Sequence, residues 1–355
     1  MNCKLLIEKN IKKIKKVPKY SRNGVYNFDF TRFTAIGGLE ISKILSEIGN
    51  VIKTYGKSCK VINITLGDFK FKDKLTYIIF ECIVYSLMID YRLVVNLYYI
   101  RLKYELSTCG LSSSLFRYMH DCSYSSKEYE KKFYKMFDRN HFRKIYKSDI
   151  PEDSLELCIL MSEIKSFLKY FSLNKLSIND IAGVVTELID NAREHSLSDC
   201  LIDIDVSDVL IKEDDVNKYH CVNIAVVNFS DICIGDKIRK KFENKNYDDS
   251  HRYNMVQWAY RNHLDYFNDR YCLDDFYNIV AFQDSISGRS YETDSGGTGL
   301  TGLIEILEQN AEDHYCYMLS GDKGIDFNLN YLGYNDEKWI GFNKTKDFIN
   351  DVPAL

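Results

Sequence analysis

The sequence predicts an α/β protein made of two unlike α/β domains, and three observations lead there. Short runs rich in β-branched and aromatic residues alternate with helical stretches across residues 24–105. A long amphipathic helix around residues 177–196 is followed directly by strand-like runs. At 355 residues, 45% apolar and 28% charged, the chain has enough material for more than one buried core.

The first domain reads strand–helix–strand–helix–strand. VYNFDFTRF (25–33) is the opening strand, and a helix then opens after Gly37-Gly38 and closes at Gly56. KVINITL (60–66) and RLVVNLYYI (92–100) have the composition of buried strands, with a helix over 72–90 between them. The most apolar run, Tyr77 to Ile89, holds Glu81 and is too short to span a bilayer. Residues 1–23 form a basic segment in which lysines interleave with Leu5, Ile7, Ile11 and Ile14. That pattern suits an ordinary first helix with a solvated lysine face, or a surface for an acidic partner or membrane. Residues 106–150 are polar and rich in Ser, Tyr and Lys, and read as connecting helices and loops. No internal repeat is evident.

The second domain is expected over 151–335, with Asp149 and Pro151 marking its first helix and 336–355 as a C-terminal tail. Its order is helix, helix, strand, strand, helical insert, helix, strand, strand. Ser177 and Asp180 are placed to cap the second helix, whose apolar stripe is Ile181, Val184, Val185, Leu188, Ile189 and Ala192. Along the border of that stripe Glu187, Asn191 and His195 stand four apart, one above another. A polar row there either meets solvent or lines a groove. For His195, hydrogen bonding at the helix end is the simpler role.

A net charge of −4 gives no general attraction to nucleic acid. The eleven cysteines contain no C-x-x-C pair, so buried free thiols in a reducing cytoplasm are expected rather than disulfides or a zinc site. The first residues are charged and lack a long apolar core, so no secretory signal is expected there.

Two later segments complete a motif set. CVNIAVVNFSDICIGDKI (221–238) is a strand ending at Asn228 followed by a turn with Gly235, and GGTGLTGLIEIL (296–307) is a glycine-rich loop entering a helix. Such a loop suits phosphate, although no P-loop pattern is present. With ELIDNAREH (187–195), these segments resemble, in order and content, the GHKL ATPase superfamily of gyrase, its heat-shock chaperone, histidine kinases and MutL. The resemblance covers residues 152–332 and takes in HYCYMLSGDKGIDFNLNY as closing strands. It implies a Bergerat-type α/β sandwich, a mixed sheet with helices on one face, that binds ATP with Mg²⁺ under a lid over about 239–293.

Carried over by motif, Asn191 is the Mg²⁺ ligand and Glu187 the general base for the attacking water. An amide oxygen is a suitable hard ligand, and a carboxylate can take the proton. Asn228 stands where the family has an aspartate that accepts from adenine, a departure that keeps an acceptor and loses its charge. Gly235 matches a glycine of the same box, while Ser230 and Cys233 replace others. Gly297, Thr298, Gly299, Leu300 and Thr301 match the box around the phosphates. Arg289 and Ser290 are candidates for the γ-phosphate, or solvated loop residues.

The first domain resembles STAS-like domains, which pair with GHKL serine kinases in anti-sigma systems. The strand VINITL lacks the following serine that those partners phosphorylate, so a docking or regulatory module is implied instead. His120-Asp121 lacks the proline expected after a phosphoaccepting histidine. The resulting expectation is a cytoplasmic ATP hydrolase acting as a Mg²⁺–ATP-gated regulatory switch on a protein partner, or on itself through the first domain. A kinase acting on a separate protein and a non-hydrolysing ATP-sensing scaffold are the alternatives.

Overall fold

The computed structural model describes residues 1–9, 19–103, 115–116, 125–151, 154–171, 173, 175–196, 198–208, 218–245, 247, 251–283, 286 and 315–354. Among these, the chain is mixed α/β with separate parallel and antiparallel sheets. Two compact units emerge: 1–150 with 198–229, and 151–197 with 230–355. Segment 198–229 thus joins the first unit, an arrangement that the linear division at residue 150 did not foresee.

The first unit opens with α1 (Lys4–Lys9) and β1 (Val25–Asp29), then β2 (Ala35–Ile36), α2 (Gly38–Tyr55), β3 (Val61–Thr65) and β4 (Asp68–Phe71). α3 (Lys74–Tyr85), with a π turn over Ser86–Asp90, leads to β5 (Val94–Tyr98) and β6 (Arg101–Leu102). β1, β3 and β5 form one parallel sheet in that order, and the short β2, β4 and β6 form a second. Each long strand therefore continues into a short one, and the module occurs three times.

This is an internal repeat, and the expectation of none is corrected. The register puts Val25, Val61 and Val94 in one row and Asn27, Asn63 and Asn96 in the next. Asn63 Nδ2 donates to Asn27 Oδ1 (2.6 Å) and Asn96 Nδ2 to Asn63 Oδ1 (2.8 Å), a ladder of amides across the sheet. The repeat is hard to read because the asparagines lie 36 and 33 residues apart and the intervening helices differ in sequence. The opposite face (Tyr26, Phe28, Ile62, Ile64, Val95, Leu97) is buried with Ile44, Ile48 and Val51 of α2.

α3 is buried on nearly every side, which explains why its sequence is apolar all round rather than striped. Next comes α4 (Ser126–Tyr134), capped by Ser125 and Glu128, and then an antiparallel pair, β7 (Lys135–Asp138) and β8 (His141–Tyr146). The reading of 106–150 as helices and loops alone is thereby corrected. HFRKIY carries charges that a surface strand would expose, yet here His141 and Arg143 are buried and only Lys144 is half-exposed.

The second unit begins with α5 (Glu156–Leu168) and α6 (Lys175–Ser196), which pack together. β9 (Cys200–Val206) and β10 (Val222–Asn228) return to the first unit and extend its antiparallel sheet in the order β10-β9-β8-β7. The chain then re-enters the second unit through α7 (Asp236–Glu243), α8 (His251–His263), α9 (Leu273–Val280) and the hairpin β11 (Tyr317–Ser320)–β12 (Lys323–Asp326). A last pair, β13 (Leu332–Tyr334) and β14 (Ile340–Phe342), completes it.

Two expectations change here. The described part of the anticipated lid is core: Val256 and Ala259 of α8 and Phe276, Ile279 and Val280 of α9 are buried with Trp339. The anticipated C-terminal tail is also core, through Ile340, Phe342, Phe348 and Ile349, and the Gln283 side-chain amide pairs with both backbone groups of Ile340.

Candidate functional site

α6 carries the proposed Glu187–Asn191 row. The helix begins at Lys175, so Ser177 lies inside its first turn rather than capping it. Ile178, Ala182, Val184, Val185 and Ile189 form the buried stripe, so Val184, Val185 and Ile189 of the expected stripe are buried, whereas Ile181, Leu188 and Ala192 are only half-buried. Thr186 turns its hydroxyl back to the Ala182 carbonyl (2.6 Å), so this polar group fits the buried side without an outside partner. Glu187 and Asn191 are both half-buried and occupy the flank of the stripe, as their four-residue spacing requires. Between them Asp190 receives Arg193 through Nε (3.1 Å) and Nη2 (2.8 Å). The side chain of His195 lies outside the described residues.

Asn228 is the last residue of β10, half-buried and in register with Cys200. It belongs to the first unit, whereas Glu187, Asn191 and Gly235 belong to the second.

The turn before α7 is internally satisfied. Cys233 N donates to Asp236 (2.8 Å), Ile234 N to the Ser320 hydroxyl (2.9 Å) and Gly235 N to Asn278 Oδ1 (3.1 Å). A Cβ on Gly235 would lie 2.6 Å from the Tyr277 carbonyl carbon, so glycine is required by the approach of the α9 backbone. These amides hold the turn against α9 and the β11–β12 hairpin; they do not form an anion cradle. Gly297, Thr298, Gly299, Leu300, Thr301, Arg289 and Ser290 lie outside the described residues, as do His120 and Asp121.

The densest polar assembly was not anticipated. On β9, Asp203 and Asp205 share one face with Leu201 and are completely buried. Asp203 receives Lys74 Nζ, Arg143 Nε and His141 Nε2, the last 2.9 Å from both carboxylate oxygens. Asp205 accepts from Lys74 Nζ and from Asn223 Nδ2 (3.0 Å). Arg143 Nη2 reaches Glu81, whose Oε1 also accepts from the Tyr77 hydroxyl and from Leu115 N (3.2 Å).

Three carboxylates thus meet Lys74, Arg143 and the His141 ring in a site closed to solvent. Burial alone would raise the Asp203 carboxyl, but Arg143, His141 and Lys74 hold it well below the usual range. Burial works against the charge of Lys74, and Asp203 and Asp205 more than offset it, so its ammonium is held above the ordinary value. Burial, then Glu81, pushes the Tyr77 phenol well up, keeping it a donor.

Among the described residues these charged groups are buried, and they act as a polar clamp between α3 and the antiparallel sheet. A signal existed in the sequence: CLIDIDV places two acids two apart on one face of an otherwise apolar strand.

Among the described residues, no group of three or more His, Cys, Asp or Glu side chains is arranged for a metal ion. No helix there is long and apolar enough to cross a membrane. Comparison of the chain with models of known protein families, with curated proteins and with solved structures finds no match.

Proposed function

We propose that the chain is a cytoplasmic Mg²⁺–ATP-dependent switch of the GHKL type, with a Bergerat-type nucleotide domain and a STAS-like docking module. The observation that carries this reading is the run of one helix with Glu187 and Asn191 half-buried on its flank, then the antiparallel β9–β10 pair ending at Asn228, then a turn fixed by Gly235. That is the order and spacing of the motifs on which the resemblance rests.

The donor set suits the group it would hold. The carboxamide of Asn191 offers one hard oxygen, the kind of ligand Mg²⁺ takes alongside phosphate oxygens and water. Mg²⁺–ATP would supply an activated γ-phosphoryl group. The carboxylate of Glu187, one helical turn from Asn191, would take the proton from a water attacking that group. By its motif position, Asn228 would offer the adenine amino group an acceptor oxygen without the charge of an aspartate. The STAS-like module, residues 24–105, docks a protein partner or a second copy.

Incubation with γ-labelled ATP distinguishes the possibilities: free phosphate supports the switch, label on a protein supports a kinase, and binding without turnover supports a scaffold. Asn191→Ala is expected to abolish the ATP- and Mg²⁺-dependent rise in melting temperature. Glu187→Ala is expected to keep that rise and lose turnover by about 10²–10⁴-fold. An unchanged ATP-induced shift in Asn191→Ala overturns the metal assignment.

A further inference from the structure

β5 is an edge strand: it pairs with β3 on one side, and no described strand follows it on the other. From Leu93 to Ile100 the sequence is LVVNLYYI, eight residues without a charge, a proline or a glycine. Edges are normally guarded by such residues, because an unpaired strand is a template for another. β1, at the other edge, is guarded: Val25 N is taken by the Ser21 hydroxyl (3.2 Å), and Asp29 folds back onto Thr31.

β5 is also where the open face of the sheet is most apolar. Val94 is 57% and Tyr98 53% exposed, they flank Asn96 symmetrically, and Ile100 beyond them is exposed too.

The geometry points to β5 as a homodimer edge, pairing antiparallel with β5 of a second copy about a two-fold axis at Asn96. The backbone supports this register. Val94 N bonds to Lys60 O and Tyr98 O accepts from Leu66 N, so even-numbered positions of β5 direct their backbone groups to β3. By alternation, Val95 and Leu97 direct theirs outward. A two-fold at Asn96 sets Val95 against Leu97 of the copy as a doubly hydrogen-bonded pair, with Asn96 facing its own counterpart at a non-hydrogen-bonded position.

Side chains agree with the backbone. Asn96 gives one N–H to Asn63 and keeps a second N–H and its oxygen for a reciprocal amide pair, which carries the ladder across both copies. Val94 meets Tyr98 of the copy twice, an aromatic–β-branched pairing. Arg92 falls opposite Ile100, so no like charges are opposed. Strand pairing of this length buries less than the roughly 1,200 Å² of a standard interface, so a micromolar dimer is expected. The proposal gives a specific surface to self-association through the first unit and stands whether or not ATP binds.

Sedimentation velocity of the full chain, without nucleotide, across about 1–200 µM should show a monomer–dimer equilibrium. Val94→Lys and Tyr98→Glu should each weaken it at least tenfold, with far-UV circular dichroism and melting temperature confirming the fold. Mixed together, the two variants should restore a heterodimer, because positions 94 and 98 of opposite chains then carry opposite charges face to face. Asn96→Cys, treated with oxidised glutathione as the oxidant, should give a disulfide-linked dimer that the wild type does not. A monomer at every concentration, dimerisation unaffected by both charged variants, or no cross-link at position 96 overturns the proposal.

Discussion

Substituting Asp203 with asparagine removes the carboxylate on which Lys74, Arg143 and His141 converge. All of these groups are buried, so water cannot replace the lost charge. Breaking a buried ionic arrangement by deleting one partner costs about 3–5 kcal/mol, because the remaining charges keep their desolvation penalty. The amide retains acceptor capacity for one neighbour, which places Asp203→Asn near the lower figure and Asp203→Ala near the upper. In a unit of this size about 1 kcal/mol corresponds to about 2–4 °C, so drops of roughly 6–20 °C are expected. The assay is urea unfolding at pH 7 followed by circular dichroism, with melting temperatures in parallel.

Acid should reproduce the effect. The folded-state carboxyl lies below its unfolded value, so its contribution is complete above about pH 4 and is lost as pH falls through the folded value. The stability gap between wild type and Asp203→Asn should therefore narrow on acidification. A loss below about 1 kcal/mol at pH 7 would refute the clamp, since exposed pairs are worth that much.

Three further outcomes are expected. Gly235→Ala should destabilise the second unit by about 1–3 kcal/mol, because its Cβ meets the α9 backbone, and urea midpoints will show it. If Asn228 reads adenine, GTP should compete poorly with ATP, and Asn228→Asp should hold or tighten ATP binding; equal competition by GTP removes that role. His263 is buried with Nδ1 2.6 Å from the Tyr271 hydroxyl, and burial lowers its pKa. The stability it contributes is whole above its unfolded value near 6.5 and falls as pH drops towards the folded one. Between pH 7.5 and 5.5 the wild type should lose more stability than His263→Gln, measured by the shift in urea midpoint.

Where periodicity and punctuation act within one segment, the sequence determined the element. Gly37 and Gly56 delimit α2, VINIT and VVNLY are strands, and the stripe of α6 puts Glu187 and Asn191 on its flank. These follow from local sterics and from the 3.6- and 2-residue repeats of backbone geometry. Relations between distant segments had no such local code. Asn27, Asn63 and Asn96 become a ladder only when parallel pairing brings them into register. Lys74 and Arg143 look like solvated charges in their own segments, and Glu81 and Asp203 stand as acids in apolar runs with no partner in sight; the four become a buried clamp because α3 packs against the sheet containing β8 and β9. Gly235 matched a nucleotide-box glycine by sequence; the close approach of α9 gives it a packing role that no window around residue 235 contains. Burial depends on what covers a residue, and tertiary packing alone decides that.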